Sequence, residues 1–334
     1  MRSPSLLASG LSGVALAATL TGTITPGHAQ ATRFVPCSGP NGGPDGLVQA
    51  INQVQNNGGS ALIELEKGCT YTFTAPRGGN NALPVITGRI AITGKNAVIA
   101  RSANAATDFR IAEVAPSGFL SLTGVTIRGG STTGNGGGIL NRGTLSLKFT
   151  TLTGNKARNG SGGGFAATEG SLTLLYRSTI SGNTAALGGG GVTFQGTLRA
   201  IATLFTRNAA VIGGALALSG QSKLVGTVVT GNHALGEGGG IVSSGSVQIR
   251  DSKITRNTAD TGGGLYADNA AVAEFLRSHV TANKARTTGG GIFAVGTVTL
   301  QKSRVTGNVP DNCAGPATVP GCVNKVKDPA AIRR

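Results

Sequence analysis

The sequence predicts an all-β fold, a right-handed parallel β-helix of roughly ten coils with a short N-terminal capping helix. Three observations predict it: a repeat of about 25 residues, period-2 alternation of apolar and polar residues within each repeat, and a glycine run at a fixed place in it. A unit of this length cannot bury its own apolar face, but stacked units can bury a continuous core.

Asparagine marks the repeat. It recurs at intervals of 28, 25, 24, 25, 26 and 25 residues, at Asn155, Asn183, Asn208, Asn232, Asn257, Asn283 and Asn308. An apolar residue lies three positions before each marker, and hydroxyl residues lie two and five positions before it. We predict that the asparagines turn inward and hydrogen-bond from coil to coil, because equivalent residues of stacked coils lie about 4.8 Å apart. The set offers no nucleophile, base or metal ligand, so the repeat is interpreted as architecture.

Each repeat is predicted to contain three short strands. Segments such as "TLSL", "SVQI" and "TVTL" alternate with a period of two, which is typical of strands rather than helices. One strand falls about eight residues before the marker, one about three before it, and one just after the glycines. Glycine is expected at the sharp bends because it tolerates positive φ and close backbone approach.

The N-terminal part differs from the repeats. Residues 1–29 carry Arg2, an apolar run and small residues before Gln30, the pattern of a secretory signal peptide. The run is too short to span a bilayer, and no later segment is long enough. Residues 30–60 form a predicted cap with a helix in "DGLVQAINQVQNNGG", residues 61–309 the parallel β-helix, and residues 310–334 a tail. The mature chain is therefore expected to be secreted, extracellular and without a transmembrane segment.

Four cysteines are expected to form disulfide bonds outside the cell. They are Cys37, Cys69, Cys313 and Cys322, and they allow three connectivities. Closeness in sequence favours Cys37 with Cys69 and Cys313 with Cys322. The absence of a CxxC motif and the presence of only three histidines argue against a zinc site.

The charge is strongly basic. Twenty-nine Lys and Arg stand against 13 Asp and Glu, a net charge of +16, and +15 once Arg2 leaves with the signal. Such a chain favours acidic partners, and an acidic glycan or cell-wall polymer is the expected ligand; the alternative is that the charge serves solubility alone. Aromatic residues at 4% offer few stacking platforms, so no specific nucleic-acid binding is expected. A monomer is expected.

The sequence resembles known β-helix families. A helix followed by "IELEKGCTYTF", "LPVITGRIAITGKNAVIAR", "GFLSLTGVTIRGG", glycine-rich repeats and "NVPDNC" is similar to secreted actinobacterial right-handed β-helix proteins of the pectin-lyase-like superfamily. The repeats also resemble those of chlamydial polymorphic outer-membrane proteins, with GGA[ILV] at Gly213–Leu216 and FxxN at Phe205–Asn208. These resemblances imply the fold strongly and an adhesin-like role weakly, because unrelated activities share this scaffold.

Many β-helix proteins cleave polysaccharides, and such activity requires particular residues in the coils. A lyase needs clustered carboxylates for Ca²⁺ and a basic residue, and a hydrolase needs two facing carboxylates. The coils contain neither Asp-Asp nor Asn-x-Asp, and the best candidates are Glu237, Asp260 and Arg286, in corresponding turns of three repeats. No cofactor is expected, except Ca²⁺ for a lyase. Asp251 and Arg277 should form an ion pair between adjacent coils.

The sequence is compatible with two functions. The first is a secreted, non-catalytic protein that binds a surface, cell-wall or matrix polymer of acidic character. The alternative is a polysaccharide lyase or glycoside hydrolase acting on acidic polysaccharide. Ice binding ranks third, because it requires Thr-x-Thr on one flat face, whereas the hydroxyls here stand three residues apart and serve two orientations.

Overall fold

Each repeat forms one turn of a parallel β-solenoid, and about 10 turns stack along one axis, as the sequence predicts. The structure is a computed structural model, and it describes residues 31–324. Successive coils pair in parallel along the stack. The predicted signal peptide and the last ten residues of the predicted tail lie outside the described residues. No helix within the described range has the length and apolarity that crossing a bilayer requires.

Four strands, rather than the predicted three, line each regular coil, and we number the resulting faces 1 to 4 in chain order. Face 3 is the one not predicted. Its strands follow the marker asparagine directly and mostly span two residues, as in Thr184–Ala185. A pair of residues is too short to show period-2 alternation, so the sequence pattern hides this strand.

Faces 1 and 2 form one continuous sheet, bent between them. Face 1 contains Ala31–Val35, Ser60–Leu65, the first halves of Arg89–Arg101 and Phe119–Arg128, Thr144–Lys148, Leu172–Tyr176, Thr197–Ile201, Gln221–Val225, Ser246–Arg250, Val272–Leu276 and Thr297–Gln301. Face 2 contains Thr70–Phe73, the second halves of the same two long strands, Thr151–Thr153, Thr179–Ser181, Leu204–Thr206, Val228–Thr230, Lys253–Thr255, His279–Thr281 and Arg304–Thr306.

Faces 3 and 4 complete the coil as separate sheets. Face 3 contains Ser131–Thr132, Lys156–Ala157, Thr184–Ala185, Ala209–Ala210, His233–Ala234, Thr258–Thr261 and Lys284–Thr288. Face 4 contains Ala112–Val114, Ile139–Asn141, Phe165–Ala167, Val192–Phe194, Leu216–Leu218, Ile241–Ser243, Leu265–Ala267, Ile292–Ala294 and Cys313–Ala314. The apolar core lies between the four faces and runs the length of the stack.

The N-terminal end is covered by one helix, α1, which spans Gly43–Asn56. Pro44 stands in its first turn, where the missing N–H costs nothing, and the chain leaves through Gly58 at φ +62°. Leu47 and Ile51 are fully buried against the first coils. The helix is the predicted cap, but a strand that the sequence did not predict, Ala31–Val35, precedes it and pairs with Ser60–Leu65.

The glycine runs mark places where neighbouring coils approach too closely for a side chain. A Cβ atom on Gly190 would lie 2.4 Å from the carbonyl oxygens of Ala209 and Gly214 in the next coil. The preceding Gly189 has φ +62°. The run is therefore required by the bend into face 4.

The marker asparagines form a buried ladder, as predicted. The backbone N–H and the side-chain Nδ2 of each donate to Oδ1 of the asparagine in the next coil, at 2.9–3.0 Å from Asn155 to Asn308. Nδ2 also donates to a carbonyl oxygen of the preceding coil, such as that of Phe205 for Asn232. Each amide in the middle of the ladder thus has all its donors and its oxygen satisfied while buried.

The predicted disulfides are both present. Cys37 is bonded to Cys69, which ties the segment before α1 to the first coils, and Cys313 is bonded to Cys322 at the other end. Near the second bond, the Asn324 amide closes the ladder, because its Oδ1 accepts from the backbone N–H groups of Asn312 and Cys313.

Candidate functional site

Asp260 and Arg286, two of the three catalytic candidates, lie side by side in the turns after face 3. Nε and Nη2 of Arg286 each donate to a different carboxylate oxygen of Asp260, both at 2.8 Å. The Arg286 side chain is 76% exposed and that of Asp260 is 38% exposed. Both carboxylate oxygens are thus engaged in an exposed ion pair, the arrangement of a solvated turn.

Glu237, the third candidate, has a different neighbour. It pairs in register with Thr261 rather than Asp260, and its carboxylate lies close enough to the Tyr266 phenol for its charge to act on it. Burial raises the pKa of Tyr266 above its ordinary value, and the Glu237 charge raises it further. The Tyr266 ring stacks on Phe293 one coil later, with 5.2 Å between ring centroids and 9° between planes. Sequence reasoning missed this aromatic pair, because a single aromatic in each of two repeats does not show that the rings share a face.

Asp251 and Arg277 form the predicted inter-coil ion pair. Nε and Nη2 of Arg277 donate to the two carboxylate oxygens of Asp251 at 2.6 and 2.8 Å. The hydrogen bond from Arg277 holds the pKa of Asp251 below its usual value, and the same bond raises that of Arg277.

One arginine of the first coils is buried and forms an ion pair with a carboxylate there. Arg110 is 8% exposed, and its Nη1 donates to Asn81 Oδ1 at 3.1 Å and to Glu113 Oε2 at 3.4 Å. Burial lowers the pKa of Arg110, and the Glu113 carboxylate opposes that shift. The other Glu113 oxygen accepts from Arg142 Nε at 3.2 Å. Both oxygens of Glu113 are thus engaged in contacts that link neighbouring coils.

One grouping of potential metal ligands exists between residues 31 and 324: Cys37, Glu66 and Cys69. Both sulfur atoms are in the disulfide, and a carboxylate oxygen of Glu66 accepts from the Cys37 N–H at 2.7 Å. The disulfide and this hydrogen bond explain why the three residues lie together.

Among the described residues, basic side chains without an ion-pair partner collect on face 2 in the last coils. Lys253, His279 and Arg304 are in register on consecutive strands, and all three side chains are exposed. Arg256 is exposed beside them, and a shallow hollow of about 370 Å³ lies between Lys253, Arg256 and His279. We call Lys253, Arg256, His279 and Arg304 the cationic strip.

No carboxylate neutralises the cationic strip. Within the described part of the chain, none of its four side chains forms an ion pair, whereas Arg277 and Arg286, in the same coil as His279, do. The sequence signal for the strip is the motif cation-x-Thr in "KIT", "HVT" and "RVT". It could be interpreted only once the strand and its outward side were known.

A column of hydroxyls runs beside the cationic strip. The hydroxyls two residues before each marker point outward on face 2, as the register of its strands shows, at Thr153, Ser181, Thr206, Thr230, Thr255, Thr281 and Thr306. Those five residues before it are mostly buried and bond to backbone groups, as Ser278 does with Ile249. The two sets therefore serve two orientations, as predicted. A second outward-facing column of face 2 lies two residues before the outward hydroxyls, and Leu204, Val228 and the basic residues interrupt its hydroxyls.

The fold and surface define a class of protein: a parallel β-solenoid repeat protein held at both ends by disulfides. No protein-family model, curated protein or solved structure matches the chain.

Proposed function

We propose that this protein is a secreted, non-catalytic binding protein that holds an acidic polymer, such as a glycan or cell-wall polymer, on face 2. The observation that supports it is the cationic strip, which places exposed basic side chains in register on consecutive coils without a neutralising carboxylate among residues 31–324. The net charge, +15 after loss of Arg2 with the signal, would attract a polyanion to the whole molecule, and the strip is the proposed place of contact.

The geometry suits a linear ligand that runs along the solenoid axis. Lys253, His279 and Arg304 repeat once per coil, at about 4.8 Å, the spacing of neighbouring strands. Thr255, Thr281 and Thr306 follow the same axis two residues further on, and their hydroxyls can donate to and accept from polar groups of the ligand. Anionic groups of the polymer would face the cations, while its hydroxyls would meet the threonines.

Secretion and an adhesin-like role belong to this proposal. Disulfide bonds persist mainly in oxidising compartments, and the chain has two. Asp260, a carboxylate that a catalytic role would need, is engaged in an ion pair with Arg286. This contact supports binding without turnover.

The test compares two triple variants with the same loss of charge. Lys253→Gln/Arg256→Gln/Arg304→Gln removes the Lys and Arg side chains of the strip, and Lys67→Gln/Lys95→Gln/Lys156→Gln removes three exposed lysines elsewhere. Binding to immobilised polygalacturonate, teichoic acid and DNA is measured at low and high salt. We expect the strip variant to bind its polymer about tenfold more weakly, since three exposed charge contacts at about 0.5 kcal/mol each amount to one decade.

The salt dependence of binding and the control variant distinguish binding at the cationic strip from attraction by the net charge alone. Binding should weaken steeply as ionic strength rises, because the contacts are exposed. Equal losses in the two variants would show that net charge alone attracts the polymer. Lack of binding to all three polymers at low ionic strength would refute the proposed function.

A further inference from the structure

An arginine ends a column of inward-facing apolar side chains on face 1, almost all of them buried. Equivalent inward positions from the first coil onward hold Arg33, Ile63, Ile92, Leu122, Leu147, Leu175, Ala200, Leu224, Ile249, Phe275 and Leu300. Ile63, the partner of Arg33 in register, is 0% exposed. A charged side chain thus occupies the position that the rest of the stack reserves for apolar groups.

The position opens into a cavity between the first strand and α1. The cavity has a volume of about 360 Å³ and is lined by Arg33, Phe34, Asn41, Gln49 and Gln53, among others. This size falls within the range of small-molecule sites. Its lining includes three side-chain amides and no carboxylate, so the guanidinium is its charged group.

The guanidinium is only partly satisfied. Nη1 donates to Gln53 Oε1 at 2.5 Å, whereas Nε is buried and has no hydrogen-bond partner. Nη2 also has no acceptor among residues 31–324, but unlike Nε it is not buried. The nearby carboxylate Asp45 is bonded to Arg77, and Glu66 to the Cys37 N–H. A buried charged donor left unpaired is costly, and such a group in a native structure calls for a partner.

We propose that this cavity is a binding site for a small carboxylate, with Arg33 as its anchor. The accessible Nη2 can donate to a carboxylate oxygen, and the charge of the guanidinium strengthens such a hydrogen bond. One unopposed positive charge balances a monoanion, which favours a carboxylate over a doubly charged phosphate. The Asn41, Gln49 and Gln53 amides are then available to the remainder of the ligand. The site is independent of the cationic strip, which lies on face 2 of the last coils.

The experiment follows the Arg33 Nε–H resonance in ¹⁵N-labelled protein during titration with acetate, acetamide, galacturonic acid and inorganic phosphate. The resonance is assigned by its loss in Arg33→Lys, and Arg199→Lys, on the outer side of face 1, is the matched control. We expect acetate to shift the resonance saturably in the millimolar range, with neutral acetamide leaving it unchanged. A stronger effect of galacturonic acid than of acetate would identify a uronic-acid ligand within the same chemistry.

Three outcomes would overturn the site. These are a resonance that acetate does not saturate, an equal shift with acetamide, or acetate-induced shifts of the cavity backbone amides that persist in Arg33→Lys. Stronger saturation by phosphate than by acetate would overturn the choice of a carboxylate. Circular dichroism of Arg33→Lys establishes that the variant is folded. Failure here leaves polymer binding by the strip untouched, and loss of polymer binding leaves this titration unchanged.

Discussion

Asn208 is bound twice by Asn232. The Oδ1 atom of Asn232 accepts hydrogen bonds from both the backbone N–H and Nδ2 of Asn208, each at 3.0 Å, and both residues are 1% exposed. The same double contact continues from Asn232 to Asn257. The ladder therefore gives these buried amides the hydrogen bonds that they would form with water if they were exposed.

The first prediction is that Asn232→Leu is strongly destabilising. Leucine offers no acceptor, so two buried donors of Asn208 lose their partner, at ~1–3 kcal/mol each. The free energy of unfolding from denaturant melts measures the loss. Asn159→Leu, at an exposed turn position, is the matched control and should change that energy by less than about 0.5 kcal/mol. Equal stability of Asn232→Leu and wild type would contradict the role given to the ladder.

The second prediction concerns the buried guanidinium of the early coils. Arg110→Met would remove the contacts to Asn81 and Glu113 and leave Glu113 with Arg142 and the Asn81 amide. Breaking a buried pair by removing one partner typically costs about 3–5 kcal/mol. Melts of Arg110→Met beside Arg142→Met, which removes the more exposed partner of the same carboxylate, check it. A smaller loss for Arg110→Met than for Arg142→Met would be inconsistent with Arg110 as the organising residue.

The third prediction is a pH dependence from Asp251. Its pKa in the folded protein is lowered from 3.8 by the bond from Arg277. The pair therefore stabilises the fold above about pH 4, and that contribution is lost as pH falls through the lowered value. Thermal midpoints of wild type and Asp251→Asn should differ at neutral pH and converge in strong acid. High salt should shrink the difference, because both side chains are exposed. A difference that persists in strong acid would exclude the ion pair as its cause.

The fourth prediction tests the contact of Glu237 with Tyr266. The raised pKa of Tyr266 means that the folded protein holds the phenolic proton more tightly, so stability should fall as pH rises above 10.0. Ultraviolet titration of phenolate, with Tyr266→Phe to assign the signal, should show ionisation at lower pH in Glu237→Gln. An unchanged titration would show that the carboxylate does not reach the hydroxyl.

The same Glu237→Gln variant separates binding from catalysis. We expect no turnover of acidic polysaccharides by wild type, with or without Ca²⁺, and a change in stability below about 0.5 kcal/mol in the variant. Turnover by wild type that is lost in a folded Glu237→Gln would instead establish the lyase or hydrolase alternative.

The fifth prediction ranks the two disulfides. Chain-entropy estimates give about 3.7 kcal/mol for a bond that spans 32 residues and about 2.6 kcal/mol for one that spans 9. Cys37→Ser/Cys69→Ser should therefore lower stability more than Cys313→Ser/Cys322→Ser. Hydrogen exchange should show that the second variant loosens only the last coils, because coils contact only their neighbours. The reverse order would point to a larger role for the C-terminal bond in closing the ladder.

The sequence predicts much of the interior and little of the surface. The Asn ladder was predictable because its residues repeat at nearly constant intervals, and a buried column imposes the same requirement on every coil. The cationic strip was not, because Lys253, His279 and Arg304 share only their charge, and their common side depends on strand register. Arg33 lies outside the repeats, so its inward position became visible only through its pairing with Ile63. Glu237 was expected near Asp260, but register places it opposite Thr261.

The ladder also determines how such a chain can grow. Asn208 and Asn232 enclose one coil of 24 residues, and its four strands pair only with equivalents before and after it. Excision of residues 209–232 would bring Asn208 onto Asn257 with every face still in register, whereas loss of half that length would set strands of one face against those of another. Duplication or deletion of genetic segments is thus tolerated in whole coils, and the reach of the molecule along its axis can evolve in steps of a single strand spacing, about 4.8 Å.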